Sequence, residues 1–194
     1  MKPYFERDGI VIYHGDCRDI LPTIPPESVD LVLTDPPYGI GMKAFLDDFW
    51  AVRALNDVPG GLAAVFTSPR RVIDLTEALR HSWSFERLLW MHKTADIAAP
   101  WRGWCMNSEA IVLFSRPDAV WPKPTDYRSD VYTVGPWERA GHPNSKPIAV
   151  IRDLLRRLSS GHTVLDPFAG SGTTLRAAAD LGLPAIGIEI EERY

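Results

Sequence analysis

The chain has 194 residues, of which 45% are hydrophobic and 24% charged, and its formal net charge is −4. This length suits one well-buried core and is short for two domains, and the composition is that of an ordinary soluble globular protein. No run approaches the roughly 20 apolar residues that span a bilayer, and the N-terminus lacks the apolar core of a secretion signal, so we predict a cytoplasmic protein without membrane contact.

The first part of the chain alternates apolar strands with helical segments. Apolar runs that end at turn residues predict strands at 9–16, 30–35 and 61–68. A helical segment is predicted after each strand, and these lie at 17–29, where prolines cut it short, at 42–58 and at 70–82.

The second part of the chain adds two strands and then returns to the alternation. Residues 84–93 and 108–116 predict a pair of strands with an irregular connection between them. Residues 116–145 have many prolines and aromatics but little periodicity, so we predict a long functional loop or small insert there. The last predicted elements are a helix at 147–160, a strand and Gly-rich turn at 162–174, a helix at 175–182 and a strand at 184–190.

Apolar strands that alternate with helices predict an α/β fold, with a mainly parallel sheet covered by helices on both faces. Ligands bind to such sheets at the carboxyl ends of the strands. Taken singly, an acid at a strand end is more typical of a helix cap or a solvated turn. Here the pattern repeats, and we predict one site formed by Asp16, Asp35, Asp166 and Glu189.

The stretch TDPPYG, residues 34–39, ends its predicted strand in an unusual way. Pro36 and Pro37 cannot donate to a sheet ladder, and each holds the residue before it in an extended conformation. The result is a stiff step that carries the Asp35 carboxylate, exposed carbonyls and the Tyr38 ring. One proline would end a strand, so two of them indicate a fixed geometry for a bound molecule.

The stretch DPFAGSGTT, residues 166–174, is a Gly-rich turn between a strand and a helix. Gly170 and Gly172 let the backbone approach a ligand closely, and the helix N-terminus offers free N–H groups. The stretch matches neither a phosphate loop nor the full dinucleotide fingerprint, and Asp166 favours a ligand with a positive centre or an amino group. A bare G-x-G is more typical of a tight connection, but the acid before it and GIEI at 187–190 favour a site.

Cysteine spacing and charge indicate whether the protein binds metal ions or nucleic acid. Cys17 and Cys105 are isolated and have no histidine at metal-ligand spacing, so we predict reduced thiols and no metal. The net charge is not that of a typical nucleic-acid binder. Residues 102–157 nevertheless hold nine Lys or Arg against six acids, with four tryptophans in or beside them. That stretch is equally compatible with a solvated face and with a binding surface.

In this order, the motifs resemble the DNA amino-methyltransferases that use S-adenosylmethionine, in their circularly permuted form with the catalytic motif first. DPPYG resembles the family's catalytic motif, DPFAGSGTT its cofactor loop, HPNSKP (142–147) the segment that closes over the methionine end of the cofactor, and GIEIEERY the ribose-binding strand. The resemblance covers essentially the whole chain. It implies a Rossmann-like methyltransferase domain over 1–194, with a short DNA-contacting insert at about 116–141. Relatives usually continue into a helix after EERY, whereas this chain ends there.

The resemblance also assigns roles to residues. The catalytic residues it implies are Asp35, Pro36, Pro37 and Tyr38. The residues it implies for S-adenosylmethionine are Asp16, Cys17, Asp35, His142, Asn144, Lys146, Asp166, Phe168, Ala169, Gly170, Gly172, Thr173, Thr174 and Glu189. The expected DNA contacts, taken from the basic stretch, are Arg102, Arg116, Lys123, Arg128 and Arg139. DNA is the expected partner, and a homodimer is left open.

The implied reaction is methyl transfer to adenine N6 of a flipped base. Asp35 and the Pro36 carbonyl would accept the N–H groups of the amine, and Tyr38 would stack on the base. Asp at the first motif position resembles the adenine branch, whereas cytosine-N4 members more often carry Ser there. The alternatives are a cytosine-N4 enzyme, a DNA- or cofactor-binding module without turnover, and methylation of RNA or of a protein amide.

Overall fold

The fold is described from a computed structural model. It describes residues 2–25, 28–37, 49–58, 60–94, 98–101, 104–124, 126–136, 145–159, 161 and 163–192. None of the helices within these ranges is long and apolar enough to cross a bilayer.

The described residues form strands and helices in the predicted alternation. The strands are β1 (Phe5–Arg7), β2 (Ile10–His14), β3 (Leu31–Thr34), β4 (Leu62–Thr67), β5 (Ser84–Lys93), β6 (Ala98–Trp101), β7 (Trp104–Met106), β8 (Ser108–Ser115), β9 (Val131–Val134), β10 (Val164–Asp166) and β11 (Ala185–Glu189). The α-helices are α1 (Cys17–Ile20), α2 (Phe49–Ala54), α3 (Val72–Leu79), α4 (Ile148–Leu158) and α5 (Thr173–Asp180). Short 3₁₀ turns lie beside α1, α2 and α3, at Leu21–Thr23, Leu55–Asp57 and Pro69–Arg71.

Nine strands form one sheet in the order β1-β2-β11-β10-β3-β4-β8-β5-β9, and β6 and β7 form a separate hairpin. The strands from β2 to β4 in this order are all parallel. β8 runs antiparallel to both of its neighbours, and β1 is antiparallel to β2. The predicted α/β fold with a mainly parallel sheet is therefore confirmed.

The centre of this sheet combines strands from the two ends of the chain. β10 and β11 are the last strands in sequence, yet they lie between β2 and β3. Val164 of β10 lies opposite Leu31 of β3 on one side and Ala185 of β11 on the other. This permuted order brings the motif after β3 and the Gly-rich turn after β10 to the same edge of the sheet, although more than 100 residues of sequence separate them.

We call the edge at which the parallel strands end the carboxyl edge, and the opposite one the amino edge. Because β8 is antiparallel to β4, it begins at the carboxyl edge and ends at the amino edge. β5 and β9 run in the direction of β4, so both end at the carboxyl edge. The connections from β5 to β8 and from β9 to α4 therefore start there.

The core consists of two apolar layers, one on each face of the sheet. Successive residues of a strand point to opposite faces, and Leu31 and Leu33 accordingly enter one layer while Val32 enters the other. Helices α4 and α5 cover the first layer, and α1, α2 and α3 cover the second. Each large apolar side chain buried here contributes about 1.5–3 kcal/mol. Those that α4 buries are Val150, Ile151, Leu154, Leu155 and Leu158.

The structure differs from the predicted elements in three segments. The predicted irregular connection at 94–107 contains the β6–β7 hairpin, and the predicted loop at 116–145 contains β9. β9 has only four residues, half of them exposed, and it becomes a strand by pairing with the edge of β5. β1 was not predicted either, because its three residues are all exposed. Of the helix predicted at 42–58, residues 42–48 lie outside the described residues.

Candidate active site

The carboxyl edge brings the four predicted acids together. Asp35 directly follows β3, Asp166 ends β10, and Glu189 ends β11. Asp16 follows β2, and the backbone N–H of Gly15 donates to the Glu189 carbonyl at 2.9 Å, which joins the ends of β2 and β11. The expected gathering of acids at one edge is therefore observed.

Asp166 connects the Gly-rich turn to the strand that precedes DPPYG. Its side chain is buried, and it accepts a hydrogen bond from the Thr34 hydroxyl at 2.7 Å and one from the Phe168 backbone N–H at 3.2 Å. The Thr174 hydroxyl also donates to it. Burial raises the pKa of Asp166 to about 6, against the opposing effect of these hydrogen bonds. The carboxylate thus holds the end of β3 and the start of α5 in a fixed relation.

The Gly-rich turn has the backbone geometry that its glycines predict. Gly170 and Gly172 have φ values of 50° and 71°, in the left-handed region that other residues rarely adopt. The Gly170 N–H donates to Glu189 Oε2 at 2.7 Å, and the Glu191 N–H donates to Glu189 Oε1 at 2.8 Å. A Cβ on Gly172 would meet no atom within 4 Å, so there is room for a ligand beside the backbone.

Asp16 and Cys17 begin α1 at the same edge. Asp16 caps the helix by accepting from the Arg18 N–H at 2.9 Å, and it pairs with the Arg18 guanidinium. The side chain of Cys17 packs in the apolar layer beneath α1, with 4% of its surface exposed. Burial raises the pKa of this thiol to about 11, so it is neutral at physiological pH. The role expected of Cys17 at the cofactor stays a prediction.

Asp35 is held by a lysine that the sequence led us to expect at the cofactor. Lys146 Nζ lies 2.5 Å from Asp35 Oδ2 and 3.1 Å from Glu109 Oε2. Burial alone would lower the pKa of Lys146, but the Asp35 and Glu109 carboxylates raise it above its ordinary value, so the side chain is a cation. Pro36 is buried and Pro37 exposed. Tyr38, together with His142 and Asn144, lies outside the described residues.

Two charged residues that sequence reasoning missed complete this arrangement. Glu109 lies at the start of β8 and Lys93 at the end of β5, and their side chains form an ion pair. Burial would raise the pKa of Glu109, but Lys146 and Lys93 lower it below its ordinary value. The pair of strands predicted at 84–93 and 108–116 could have indicated this ion pair, because antiparallel neighbours place the end of one strand beside the start of the other.

Of the five expected DNA contacts, Arg116, Lys123 and Arg128 lie within the described residues. Arg116 lies at the amino edge, where its guanidinium donates to the carbonyls of Asn56 at 3.0 Å and Val58 at 2.7 Å and stacks on the Trp83 ring at 4.5 Å. Arg128 pairs with Asp126 at 3.0 Å and with Asp153 of α4 at 3.4 Å. Lys123 is exposed, and Arg102 and Arg139 lie outside the described residues.

Within the described ranges, no group of three or more His, Cys, Asp or Glu side chains is placed to hold a metal ion. The groups gathered at the carboxyl edge are instead hydrogen-bond acceptors, backbone N–H groups and an open Gly-rich turn. An organic ligand with hydroxyl and amino donors suits this set.

Comparison with known proteins agrees with the site. A family described as DNA methylase, which comprises N6 and N4 methyltransferases, matches residues 29–194. The protein YubD of Escherichia coli (strain K12) is 32% identical over 93% of this chain and 84% of its own. TTHA0409 of Thermus thermophilus, solved with S-adenosyl-L-methionine, is 27% identical with a TM-score of 0.73, covering 94% of this chain and 90% of its own. The cytosine-N4-specific PvuII DNA methyltransferase shares the fold, with a TM-score of 0.81 at 18% identity over 100% of this chain and 86% of its own.

Methyltransferases of this kind use S-adenosylmethionine. Its ribose hydroxyls, adenine amine and methionine ammonium are donors that fit the carboxylates and the open Gly-rich turn at the carboxyl edge. The residues that would hold it are those of the turn after β10, with Glu189 and Asp166. The chain belongs to the N6/N4 family of DNA methylases.

Proposed function

We propose that this DNA methylase methylates the N6 amine of adenine, on a base flipped out of the duplex. The observation that supports this most directly is the fixed position of Asp35, which follows β3 at the carboxyl edge next to the strand that leads into the Gly-rich turn. The identity of the residue supports adenine, because Asp at this motif position resembles the adenine branch of the family.

The chemistry required of the chain is activation of a poor nucleophile. The lone pair of an exocyclic amine is delocalised into the base, so the nitrogen is planar and unreactive. Asp35 accepts one N–H of the amine and the Pro36 carbonyl accepts the other, and the nitrogen is drawn toward tetrahedral geometry with its lone pair available. Pro37 keeps Pro36 extended, which fixes the direction of that carbonyl. Tyr38 stacks on the base.

The bound cofactor supplies a methyl group on a sulfonium, which is a good leaving group. The contribution of the chain is then mainly alignment and electrostatics. Glu189 accepts from the ribose hydroxyls, because each carboxylate oxygen has a second acceptor site beyond the backbone N–H that it already binds. After transfer, the nitrogen loses one proton, and Asp35 is the acceptor nearest to it.

Methylation of cytosine N4 is the second candidate. The N4 amine is also exocyclic and delocalised, so the same two acceptors would activate it, and the PvuII enzyme with this fold is specific for it. The two candidates differ only in the base that enters the site.

A direct assay separates these candidates. The purified protein is incubated with isotopically labelled S-adenosylmethionine and unmethylated genomic DNA, which contains many sequence contexts, and the digested nucleosides are analysed by mass spectrometry. We expect label in N6-methyladenine, and none with the Asp35→Ala variant. Label in N4-methylcytosine would replace the adenine proposal, and label in RNA or protein alone would refute DNA as the substrate.

A further inference from the structure

Four charged side chains form a row behind the catalytic motif. Lys146 pairs with Asp35 at 2.5 Å and approaches Glu109 at 3.1 Å, and Glu109 pairs with Lys93. The exposed fractions of these side chains are 26% for Asp35, 9% for Lys146, 20% for Glu109 and 19% for Lys93. The signs alternate along the row, so each inner charge lies between two opposite ones.

Fold stability does not explain a row of this kind. Ion pairs removed from water lose hydration that their mutual attraction seldom restores, and apolar side chains of similar size often serve a core as well or better. An apolar side chain in place of Lys146 could pack against Phe66, because the Phe66 ring lies 5.4 Å from Lys146 Nζ and the Phe66 side chain is fully buried. A function at the site accounts better for the charges.

The row also connects a pair of strands with two connecting segments at the edge. Glu109 and Lys93 lie on β8 and β5, which are paired along most of their lengths, with Met91 opposite Glu109. Lys146 and Asp35 lie on connecting segments, before α4 and after β3. The strand pair therefore holds Glu109 in place, Glu109 holds Lys146 through their ion pair, and Lys146 in turn holds the Asp35 carboxylate.

We propose that Glu109 and Lys93 are positioning residues for methyl transfer, which hold Lys146 and, through it, the Asp35 carboxylate in the orientation that the target amine requires. This rests on the proposed function, in which Asp35 accepts an N–H of that amine. A carboxylate has about four lone-pair sites, so an ammonium bound at Oδ2 is compatible with acceptance of the amine N–H. The ammonium then restricts rotation of the carboxylate.

Glu109→Gln tests the proposal, with Glu86→Gln as its matched control. Glu86 lies on the same strand pair at the amino edge, where it accepts from the Ser115 hydroxyl at 2.5 Å. We expect Glu109→Gln to lower kcat about 10- to 100-fold, the loss caused by a misplaced catalytic group, while KM and the Kd for S-adenosylmethionine stay within a factor of about two. Glu86→Gln should keep the wild-type kcat. Equal kcat values for wild type and Glu109→Gln would refute the positioning role.

Lys93→Met provides a second variant, at the far end of the row. It should lower kcat with KM unchanged, and Glu109→Asp should recover part of the activity lost in Glu109→Gln. Because residues that act as one unit have non-additive effects, the double variant Lys93→Met/Glu109→Gln should be no slower than Glu109→Gln alone. Losses that multiply in the double variant would contradict a shared role. If Glu109→Gln does not fold, Lys93→Met decides by the same criterion.

A crystal structure of Glu109→Gln separates this inference from the proposed function. We expect Lys146 Nζ to lie farther from Asp35 than the limit of about 4 Å for an ion pair. An unchanged Lys146–Asp35 pair would overturn the inference even if the wild-type protein methylates DNA. A wild-type protein without methyl transfer would refute the proposed function, and the measured separation would still decide whether Glu109 positions Lys146.

Discussion

The two edges of the sheet bury charge in different ways. At the amino edge, the Arg116 guanidinium donates to the carbonyls of Asn56 and Val58 and stacks on Trp83. Its hydrogen-bond acceptors there are backbone carbonyls of one loop, and the Asp57 carboxylate of that loop also attracts it. At the carboxyl edge, charged side chains meet one another instead, and the buried Asp166 carboxylate lies on the neighbouring strand.

This difference indicates which charges serve folding and which serve chemistry. A partly buried cation bound by backbone carbonyls satisfies acceptors that would otherwise lack a partner, and this stabilises the fold. A row of ionised side chains gives little stability relative to apolar residues, but it can orient a reactive group. Variants at the two edges should therefore fail in different measurements.

The largest effect on activity is expected for Asp35→Ala. Loss of the acceptor for the target amine should lower turnover by about 100-fold or more, and the Kd for S-adenosylmethionine should change by no more than a few fold. Asp118→Ala, at an exposed position beyond the amino-edge end of β8, is the matched control and should be fully active. Methylation kinetics beside calorimetric binding measure both quantities. Near-normal turnover of Asp35→Ala would refute the mechanism.

Lys146→Met and Arg116→Met compare the two edges directly. Without Lys146, the Asp35 and Glu109 carboxylates have lost a shared cation, so the free energy of unfolding should fall by about 3–5 kcal/mol and turnover should be lost. Without Arg116, two carbonyl acceptors lose a donor, so the free energy of unfolding should fall by about 1–3 kcal/mol while the folded protein keeps its kcat. Denaturant unfolding and methylation assays give the two values. A folded but inactive Arg116→Met would contradict the distinction.

The features of the carboxyl edge that depend on local sequence patterns could be predicted from the sequence. Runs such as 61–68 and 162–166 are apolar enough to be identified as buried strands, and the acids that end them fall at one edge in any parallel sheet. The Gly170 and Gly172 conformations follow from residue type. These features set the fold class and place Asp35, Asp166 and Glu189 at one edge.

The remaining features depend on contacts between distant segments. The Lys93–Glu109 pair requires the register of β5 against β8, which no local pattern specifies. The short strand β9 forms because an edge of β5 is available to it, not because of its own propensity. The position of Arg116 depends on the antiparallel direction of β8, which carries its end away from the site. The Lys93–Glu109 pair and β9 were not predicted because they depend on contacts between segments that are distant in the sequence.

The pH dependence of stability provides a test centred on Asp166. Its folded-state pKa of about 6 lies above the ordinary value of 3.8 because the carboxyl is buried. The group therefore stabilises the folded state fully below about pH 4, and this contribution is lost as the pH rises through about 6. Asp166→Asn keeps an acceptor oxygen but does not titrate.

We expect the difference in unfolding free energy between wild type and Asp166→Asn to shift by about 2–3 kcal/mol between pH 4 and pH 7, with the wild type relatively more stable at the lower pH. Taking this difference cancels the contribution of Glu109, whose lowered pKa acts in the opposite direction. Urea unfolding at several pH values measures it. Parallel curves for the two proteins would show that Asp166 is not perturbed by burial.

The smallest effects are expected for single DNA contacts, and the topology divides four of the five expected residues into two groups. In the sequence, Arg102 falls between β5 and β8 and Arg139 between β9 and α4, and the described ends of β5 and β9 lie at the carboxyl edge. Arg116 and Lys123 follow β8, which ends at the amino edge. If DNA reaches Asp35 at the carboxyl edge, as the proposed function requires, we expect cations in the connections that start there to contact phosphates on either side of a flipped base.

Arg102→Gln and Arg139→Gln should therefore each weaken DNA binding, and each should reduce the slope of log K against log salt concentration by about one, the effect of one lost phosphate contact. Lys123→Gln removes an exposed cation of the other group and should leave the slope unchanged. The acidic remainder of the surface does not prevent binding, since salt screens exposed charges beyond roughly 10 Å. Fluorescence-anisotropy titrations at several salt concentrations measure these slopes. If Lys123→Gln lowers the slope and Arg102→Gln and Arg139→Gln do not, DNA binds at the amino edge. That result would contradict the assignment of DNA binding to the carboxyl edge.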